Sequence, residues 1–353
     1  MEPNKYMVCT RCFTYNHAPY IVDALNGFTM QQTTFPFVCT IIDDASTDGE
    51  QEVIKSYLKE HFDLEDKATV RNEETEDYFL TFARHKTNEN CFFAVLYLKY
   101  NHYSIKKSKF PYLSEWSDNA KYIALCEGDD YWTHPKKLQM QVEFLEKHED
   151  YGLCHTGYLN YYVESGKQYS AEHTQIKSGN DFRLKELLCR KYSIGTLTVL
   201  YRAALLNMIP HYYVGKGFLM GDLPLWIELA SLAKIGYINE RTSVRNVLTE
   251  SASHSSDKYK ELKFYESVLD IVSFYSEKLG VNISKEDLRP LWDDFHLHAM
   301  KTAYMYRDFD LAKKTYSKID GLSILSIKTR IYYYALRNSY ISKIVGHIFE
   351  CKR

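Results

Sequence analysis

The stretch Glu127-Gly128-Asp129-Asp130-Tyr131-Trp132 sets three carboxylates side by side, directly after the apolar run Tyr122-Ile123-Ala124-Leu125-Cys126. A short β-prone run that ends in acids puts them at the carboxyl end of a strand, the edge where open α/β sheets bind ligands. Packed like charges raise one another's pKa unless a cation or hydrogen-bond donors offset them. Mg²⁺ or Mn²⁺ bridging protein carboxylates to substrate phosphates is the usual offset. The pattern therefore points to metal-dependent chemistry on a phosphate-bearing substrate.

Elements at regular intervals are needed to hold such a loop. Residues 6–14 read as a strand, 20–30 as a helix with Pro19 in its first turn, and 38–42 as a second, fully apolar strand suited to a buried parallel sheet. A helix over 50–61 buries Val53, Ile54, Tyr57 and Leu58 on one face. Residues 69–72 suggest a short strand, 73–82 carry no clear period, 91–103 are apolar with helical spacing, and 106–118 read as a loop or insertion. After the strand at 122–126, Pro135 opens an amphipathic helix through Leu138, Val142, Phe144 and Leu145. This alternation predicts an α/β fold with a mixed, mostly parallel sheet flanked by helices. Further strands are expected at 153–163, 196–201, 237–238 and 244–247, and helices at 182–188 and 222–232. Beyond about residue 255 long helical patterns take over, over 258–279, 285–306, 310–319 and 324–341. The expected division is thus 1–255 for the α/β domain and 256–353 for an all-helical C-terminal region.

Composition narrows the class. A chain of 353 residues with 45% hydrophobic and 25% charged residues can bury a sizeable core. Net charge is −2, which offers no global field to recruit nucleic acid. Residues 321–353 hold six Lys/Arg and one acid, a net of +5, so residues 1–320 carry −7. That basic tail, interleaved with Ile and Tyr, suits either peripheral contact with an anionic membrane surface or a helix packed on its neighbours with a solvated basic face. No signal peptide or membrane-spanning run is evident, and the eight scattered Cys fit reduced core thiols, so a cytoplasmic location is expected, peripheral on the inner membrane face if the tail binds lipid. Cys9 and Cys12 have redox-pair spacing, but on a strand they face opposite sides. The 31 Tyr against 4 Trp suit sugar clefts or reflect a compositional habit. His296 and His298, two apart on a helix, point to different faces and make no metal pair.

Three blocks in order, Thr14-Tyr15-Asn16, then Ile41-Ile42-Asp43-Asp44-Ala45-Ser46-Thr47-Asp48, then Glu127-Gly128-Asp129-Asp130-Tyr131-Trp132 with Pro135, resemble the signature of family 2 glycosyltransferases over residues 5–250. The resemblance implies a GT-A fold, a nucleotide-sugar donor and a divalent Mn²⁺ or Mg²⁺ ion. On its terms Thr14 and Tyr15 line the nucleotide, with Tyr15 stacking on the base, and Asp44 accepts from a base N–H. Asp43 shares that role or holds the loop. Helix capping and Asx turns are the structural alternative for Asp43, Asp44 and Asp48. Asp129 would face ribose and metal, and Asp130 would bind the metal directly. Glu127 stands where many members have Asp, so its role stays open.

Gly221-Asp222-Leu223-Pro224 is similar to the family segment whose acid is the general base, although Asp222 before Pro224 is also a good N-cap. His254 occupies a position similar to the late metal or diphosphate contact, the alternative being a surface loop histidine. Arg245 suits either the diphosphate or a structural acid. His155, Thr196 and Arg202 are weaker acceptor-side candidates.

The resemblance implies an inverting glycosyltransferase that moves a sugar, from UDP by expectation, to a hydroxyl of a glycan or lipid-linked saccharide in cell-surface polysaccharide synthesis. Two rivals remain. A sugar-phosphate nucleotidyltransferase would want a Gly-rich phosphate loop, and Phe13-Thr14-Tyr15-Asn16-His17 has none. A non-catalytic binding module of the same fold would have no need of intact Asp129, Asp130 and Asp222.

Overall fold

The computed structural model describes residues 5–171, 184–190, 193–249, 257–306, 308–316 and 318. The chain divides into two compact units. The first comprises Met1–Leu184, Tyr192–His211 and Glu228–Leu248, and the second Lys185–Lys191, Tyr212–Ile227 and Thr249–Arg353.

Most of the first unit is one sheet. Its strands are β1 (Tyr6–Thr14), β2 (Phe37–Asp43), β3 (Arg71–Glu74), β4 (Tyr78–Arg84), β5 (Cys91–Leu98), β6 (Ala120–Leu125), β7 (Tyr131–Trp132), β8 (Tyr151–Tyr162), β9 (Lys167–Ser170), β10 (Leu200–Arg202) and β11 (Lys234–Val247). The spatial order is β3-β4-β5-β2-β1-β6-β10-β8-β11-β7, with β9 paired to β8. The centre, β5-β2-β1-β6, is parallel, and β8 runs parallel to β11. The β3–β4 hairpin, β10 and β7 join antiparallel.

Alternation along the central strands sorts the core onto two faces. Val8 and Cys12 of β1, Phe37, Cys39 and Ile41 of β2, Phe93 and Val95 of β5, and Tyr122 and Ala124 of β6 enter one cluster. Helices α1 (Ile21–Thr29), α2 (Glu50–His61) and α4 (Lys137–Lys147) cover it with Leu25 and Phe28, Ile54 and Leu58, and Leu138, Val142 and Leu145. The opposite face carries the one-turn α3 (Ser114–Ser117), where Ser117 lies beside Cys9 and accepts from the Arg11 guanidinium at 3.1 Å. Cys9 and Cys12 thus diverge as strand geometry requires, and the seven described cysteines are buried free thiols.

Four expectations change, the first being that the strand expected at 196–201 is a 3₁₀ turn over Thr196–Thr198 followed by the strand Leu200–Arg202. Residues 91–98 are strand β5, with no helix over 91–103. The run Cys91-Phe92-Phe93-Ala94-Val95-Leu96-Tyr97-Leu98 is buried almost throughout, so no polar alternation marks its period. Residues 73–82 are the β3–β4 hairpin, which extends the sheet at one edge. The two strands expected at 237–238 and 244–247 are one strand, β11, and the polar Asn239-Glu240-Arg241 between them coincides with register shifts against β8.

The second unit is helical. Asp257 caps α7 (Lys258–Lys278) by accepting from the Tyr259 N–H at 3.0 Å. Gly280, with φ +60°, ends it. After it come α8 (Lys285–Met305) and α9 (Phe309–Tyr316), with Tyr275, Met300, Ala303 and Ala312 fully buried. The short helix α5 (Leu184–Leu188) brings Lys185 to within 2.6 Å of Asp287. Helix α6 (Asp222–Leu232) begins in this unit and ends in the first. The helix expected at 324–341 and the basic tail lie outside the described residues. No described helix is long and apolar enough to cross a membrane.

Candidate functional site

The loops that follow β1, β2 and β6 meet at the carboxyl ends of three adjacent parallel strands. Parallel pairing in register, Thr14 opposite Asp43 and Arg11 opposite Leu125, forces that convergence.

The loop after β6 holds the acid cluster. Carboxylate oxygens of Glu127, Asp129 and Asp130 lie within 4.8 Å of one another. Glu127 is exposed, Asp129 half-buried and Asp130 buried. The loop is latched to β1 by the Gly128 N–H on the Phe13 carbonyl at 3.1 Å. A Cβ at Gly128 would stand 2.1 Å from Thr14 Oγ1, so only glycine allows this approach. From the other side β11 pairs with β7, and the next residues reach the acids. The Asn246 N–H donates to Asp130 Oδ1 at 2.9 Å, and its side-chain amide donates to the Asp129 carbonyl at 2.6 Å. Burial, then the charges of Asp129 and Glu127, pushes the Asp130 carboxyl well above its ordinary value, with Asn246 and Arg245 opposing. Three carboxylates this close, one of them pushed toward protonation by burial and by its neighbours' charge, could hold a divalent cation through hard oxygen ligands.

Below the loop, the Trp132 indole N–H donates to the Leu197 carbonyl at 2.9 Å. Gly27 of α1 lets its backbone approach, since a Cβ there would fall 2.8 Å from Trp132 N. The fully buried Lys137 ammonium lies 4.3 Å from the Trp132 ring centroid and donates to Gln141 Oε1 at 2.7 Å. Burial brings its pKa down to about 7.

The loops after β1 and β2 bind each other through side chains. Asn16 Oδ1 accepts from Thr47 N–H at 2.8 Å, and Asp48 accepts from Ala18 N–H at 2.9 Å and Glu50 N–H at 3.1 Å. The fully buried Glu50 accepts from Thr14 Oγ1, from His17 N–H at 2.8 Å and from Ser46 Oγ at 2.8 Å. Burial raises its pKa, against these donors. Asp43 Oδ1 accepts from Ser46 N–H at 3.1 Å and Gln51 Nε2 at 2.6 Å.

Asp44 is buried and already engaged: Oδ1 accepts from His102 N–H at 2.7 Å, and Oδ2 accepts from Tyr103 N–H at 3.2 Å and the Lys109 ammonium at 2.7 Å. Four lone-pair directions on a carboxylate leave room for one further donor. Tyr15 is 43% exposed.

The structure thus gathers Asp129, Asp130 and Glu127, brings Arg245 within electrostatic reach of them, and sets Thr14, Tyr15 and Asp44 on the adjoining loops. Asp222 opens α6 in the second unit, half-buried, with Oδ1 accepting from Leu223 N–H at 2.7 Å. His254 lies outside the described residues. His155 is fully buried beside Tyr237, Thr196 opens a short 3₁₀ turn, and Arg202 donates to the Tyr151, Leu145 and His148 carbonyls. Sequence reasoning passed over Glu50, Asn246, His102 and Lys109. An acid in the first turn of α2 was the sole signal for Glu50; the others depend on tertiary pairing.

No family model matches the chain. It is 32% identical over 189 residues to the uncharacterised proteins Rv1520 of Mycobacterium tuberculosis and Mb1547 of Mycobacterium bovis, a match covering 54% of this chain and 45% of each relative. The chain thus spans about half the length of the curated relatives it matches. Among solved structures, TarS of S. aureus is similar with a TM-score of 0.52 at 14% identity, covering 96% of this chain and 55% of that one. The mannosyltransferase PcManGT of Pyrobaculum calidifontis, solved with GDP-Man and Mn²⁺, is similar with a TM-score of 0.50 at 10% identity, covering 97% and 87%. The fold is that of GT-A glycosyltransferases, followed by a helical region.

Proposed function

We propose that the chain is an inverting, metal-dependent glycosyltransferase of family 2 type, moving a sugar from a nucleoside diphosphate donor, UDP first among candidates, to a hydroxyl of a glycan or lipid-linked saccharide. The observation that carries this reading is the convergence of Glu127, Asp129 and Asp130 within 4.8 Å at the end of β6, beside the loops of β1 and β2. That edge of an α/β sheet suits a nucleotide, with the diphosphate toward the acids and the base toward Tyr15 and Asp44.

Asp129 and Asp130 would hold a Mn²⁺ or Mg²⁺ ion, which when bound neutralises charge on the departing diphosphate. Tyr15 offers a stacking face, Thr14 shapes the floor, and Asp44 has acceptor capacity for a base N–H. Arg245 reinforces the phosphate side, and His254 is a further metal or diphosphate contact. Asp222 at the helix start takes the proton from the acceptor hydroxyl as that oxygen attacks the anomeric carbon. One displacement inverts the configuration. The sugar–phosphate bond breaks and its electron pair leaves with the nucleotide.

The helical region 256–353, with its basic tail, is the part we assign to partner or membrane-surface contact in cytoplasmic synthesis of a cell-surface polysaccharide. The test is a screen of UDP- and GDP-sugars for metal-dependent hydrolysis, followed by turnover with the active donor. Asp222→Asn is expected to lower kcat by roughly 10²–10⁴ while donor binding persists; near-full turnover in that variant would remove the base assignment. Absence of any metal-dependent nucleotide effect would favour a non-catalytic binding module.

A further inference from the structure

The loop after β5, residues 99–113, carries an aromatic ring in an unusual setting. Tyr103 is 83% exposed, and among the described residues its ring packs on no other ring. Of the loop's other exposed rings, Tyr100 stacks on His102 at 4.7 Å, and Phe110 has Phe13 edge-on at 5.9 Å and the Arg11 guanidinium at 5.9 Å. Yet Tyr103 stands on a firmly held stem. Its N–H and that of the fully buried His102 both donate to Asp44.

The stem is braced from the sheet edge. Asp77, in the β3–β4 turn, accepts from Lys107 at 2.7 Å, from Tyr112 Oη at 2.7 Å and from Tyr100 Oη. Those donors hold its carboxyl well below the usual carboxylate range. His102 closes the chain, with Nδ1 2.9 Å from the Tyr100 carbonyl and Nε2 3.0 Å from Tyr112 Oη. Tyr112 has one hydroxyl proton, directed at Asp77, so both ring nitrogens of His102 face acceptors. Lys109 adds a bond to Asp44 Oδ2, the oxygen that also accepts from Tyr103 N–H. A loop this thoroughly bonded is not a floppy tip that happens to expose a ring.

Tyr15, on the loop after β1, also stands close to Asp44 along the chain's contacts. It follows Thr14, whose carbonyl accepts from Asp44 N–H at 3.0 Å. Two exposed tyrosines therefore stand within one or two residues of contacts to the same buried carboxylate.

We propose that Tyr103 joins Tyr15 in an aromatic clamp for the nucleobase of the donor, with Asp44 reading the base edge and Asp77 acting as the positioning residue that fixes the Tyr103 stem. This rests on the donor-site reading above. Exposed aromatic faces on rigid stems stack with any base, which makes the clamp a source of affinity more than of base choice. It also accounts for Lys109 and His102, which hold Asp44 in place without occupying its last acceptor position.

The test is calorimetric titration of the full chain with UDP and GDP, and separately with inorganic pyrophosphate, all in Mn²⁺. Tyr103→Ala is expected to weaken the preferred nucleotide roughly 10-fold and Tyr103→Phe to bind within about threefold of wild type. Pyrophosphate binding should be the same in all three. Asp77→Asn is expected to raise the donor KM by more than it lowers kcat. Wild-type nucleotide affinity in Tyr103→Ala, or an equal loss of pyrophosphate, would overturn the clamp while leaving the donor site standing. A wild-type protein that binds neither nucleotide would remove the donor site and the clamp together.

Discussion

Two acid-rich loops sit at the carboxyl ends of β2 and β6, the parallel strands on either side of β1, and they are built on opposite electrostatic plans. At the end of β2 and just after it, the protein itself supplies donors to Asp44, Asp48 and Glu50, while Asp43 accepts at Oδ1 but has no donor at its buried Oδ2. Asp44 has two backbone N–H groups and Lys109, Asp48 has Ala18 and Glu50 N–H, and Glu50 has Thr14, His17 and Ser46. After β6, three carboxylates share a space less than 5 Å across, and the buried member has one backbone N–H from Asn246 and an arginine nearby. The first loop draws its donors from backbone N–H groups and a lysine; the second crowds three carboxylates into a space that could hold a cation. A count of acids would have treated them alike. The donors around them make the distinction.

The sharpest way to break that comparison is to neutralise one member of each. Asp130→Asn keeps the acceptor for Asn246 but removes charge from the unbalanced cluster. Mn²⁺-dependent nucleotide affinity should fall at least ~100-fold, in the manner of lost buried charge pairs, while the metal-free protein should melt higher than wild type because a buried, crowded charge is gone. Thermal melting with and without Mn²⁺ reads both. Asp44→Asn should do the reverse, lowering metal-free stability by about 1–3 kcal/mol as charge-assisted bonds to Lys109 and two N–H groups weaken. Matching melting shifts in the two variants would erase the distinction drawn above.

A smaller effect concerns Lys137 beneath the second loop. Its pKa, brought down to about 7 by burial, lies far below the value of an unfolded lysine. Between about pH 7 and 10 the unfolded chain then binds a proton that the folded chain does not, so stability rises with pH across that window. The slope is at most ~1.4 kcal/mol per pH unit. Below pH 7 both states are protonated and this contribution is flat. Lys137→Met should abolish the slope in urea titrations at stepped pH.

The parts of this layout that could be read in advance are those whose partners are close in sequence. Strands β1, β2 and β6 announce themselves as short apolar runs ending in turn and acid residues. The acids of the β6 loop were legible because they crowd within four positions. The occupancy of Asp44 was not, because its donors sit 58 to 65 residues away on a loop with no recognisable pattern. Strand β5 was mistaken for a helix since a strand buried on both faces has no polar phase to reveal its period. Strand β11 was split because its bulged middle is polar. Asp222 was singled out by resemblance to the family's base segment, with N-capping as the alternative; it opens α6 in the other unit, and its chemical role still rests on that resemblance.

The absent side chain at Gly128 has a wider meaning for evolution of the site. Because Thr14 fills the place a Cβ would take, the acid-bearing β6 loop and the end of β1 are held at one spacing, like two jaws set on a common pin. A single added methyl at that pin would change the gauge between them without touching either jaw. Substitution of this glycine is therefore expected to shift the β6 loop against β1 and, with it, the spacing between the acid cluster and the Tyr15 loop.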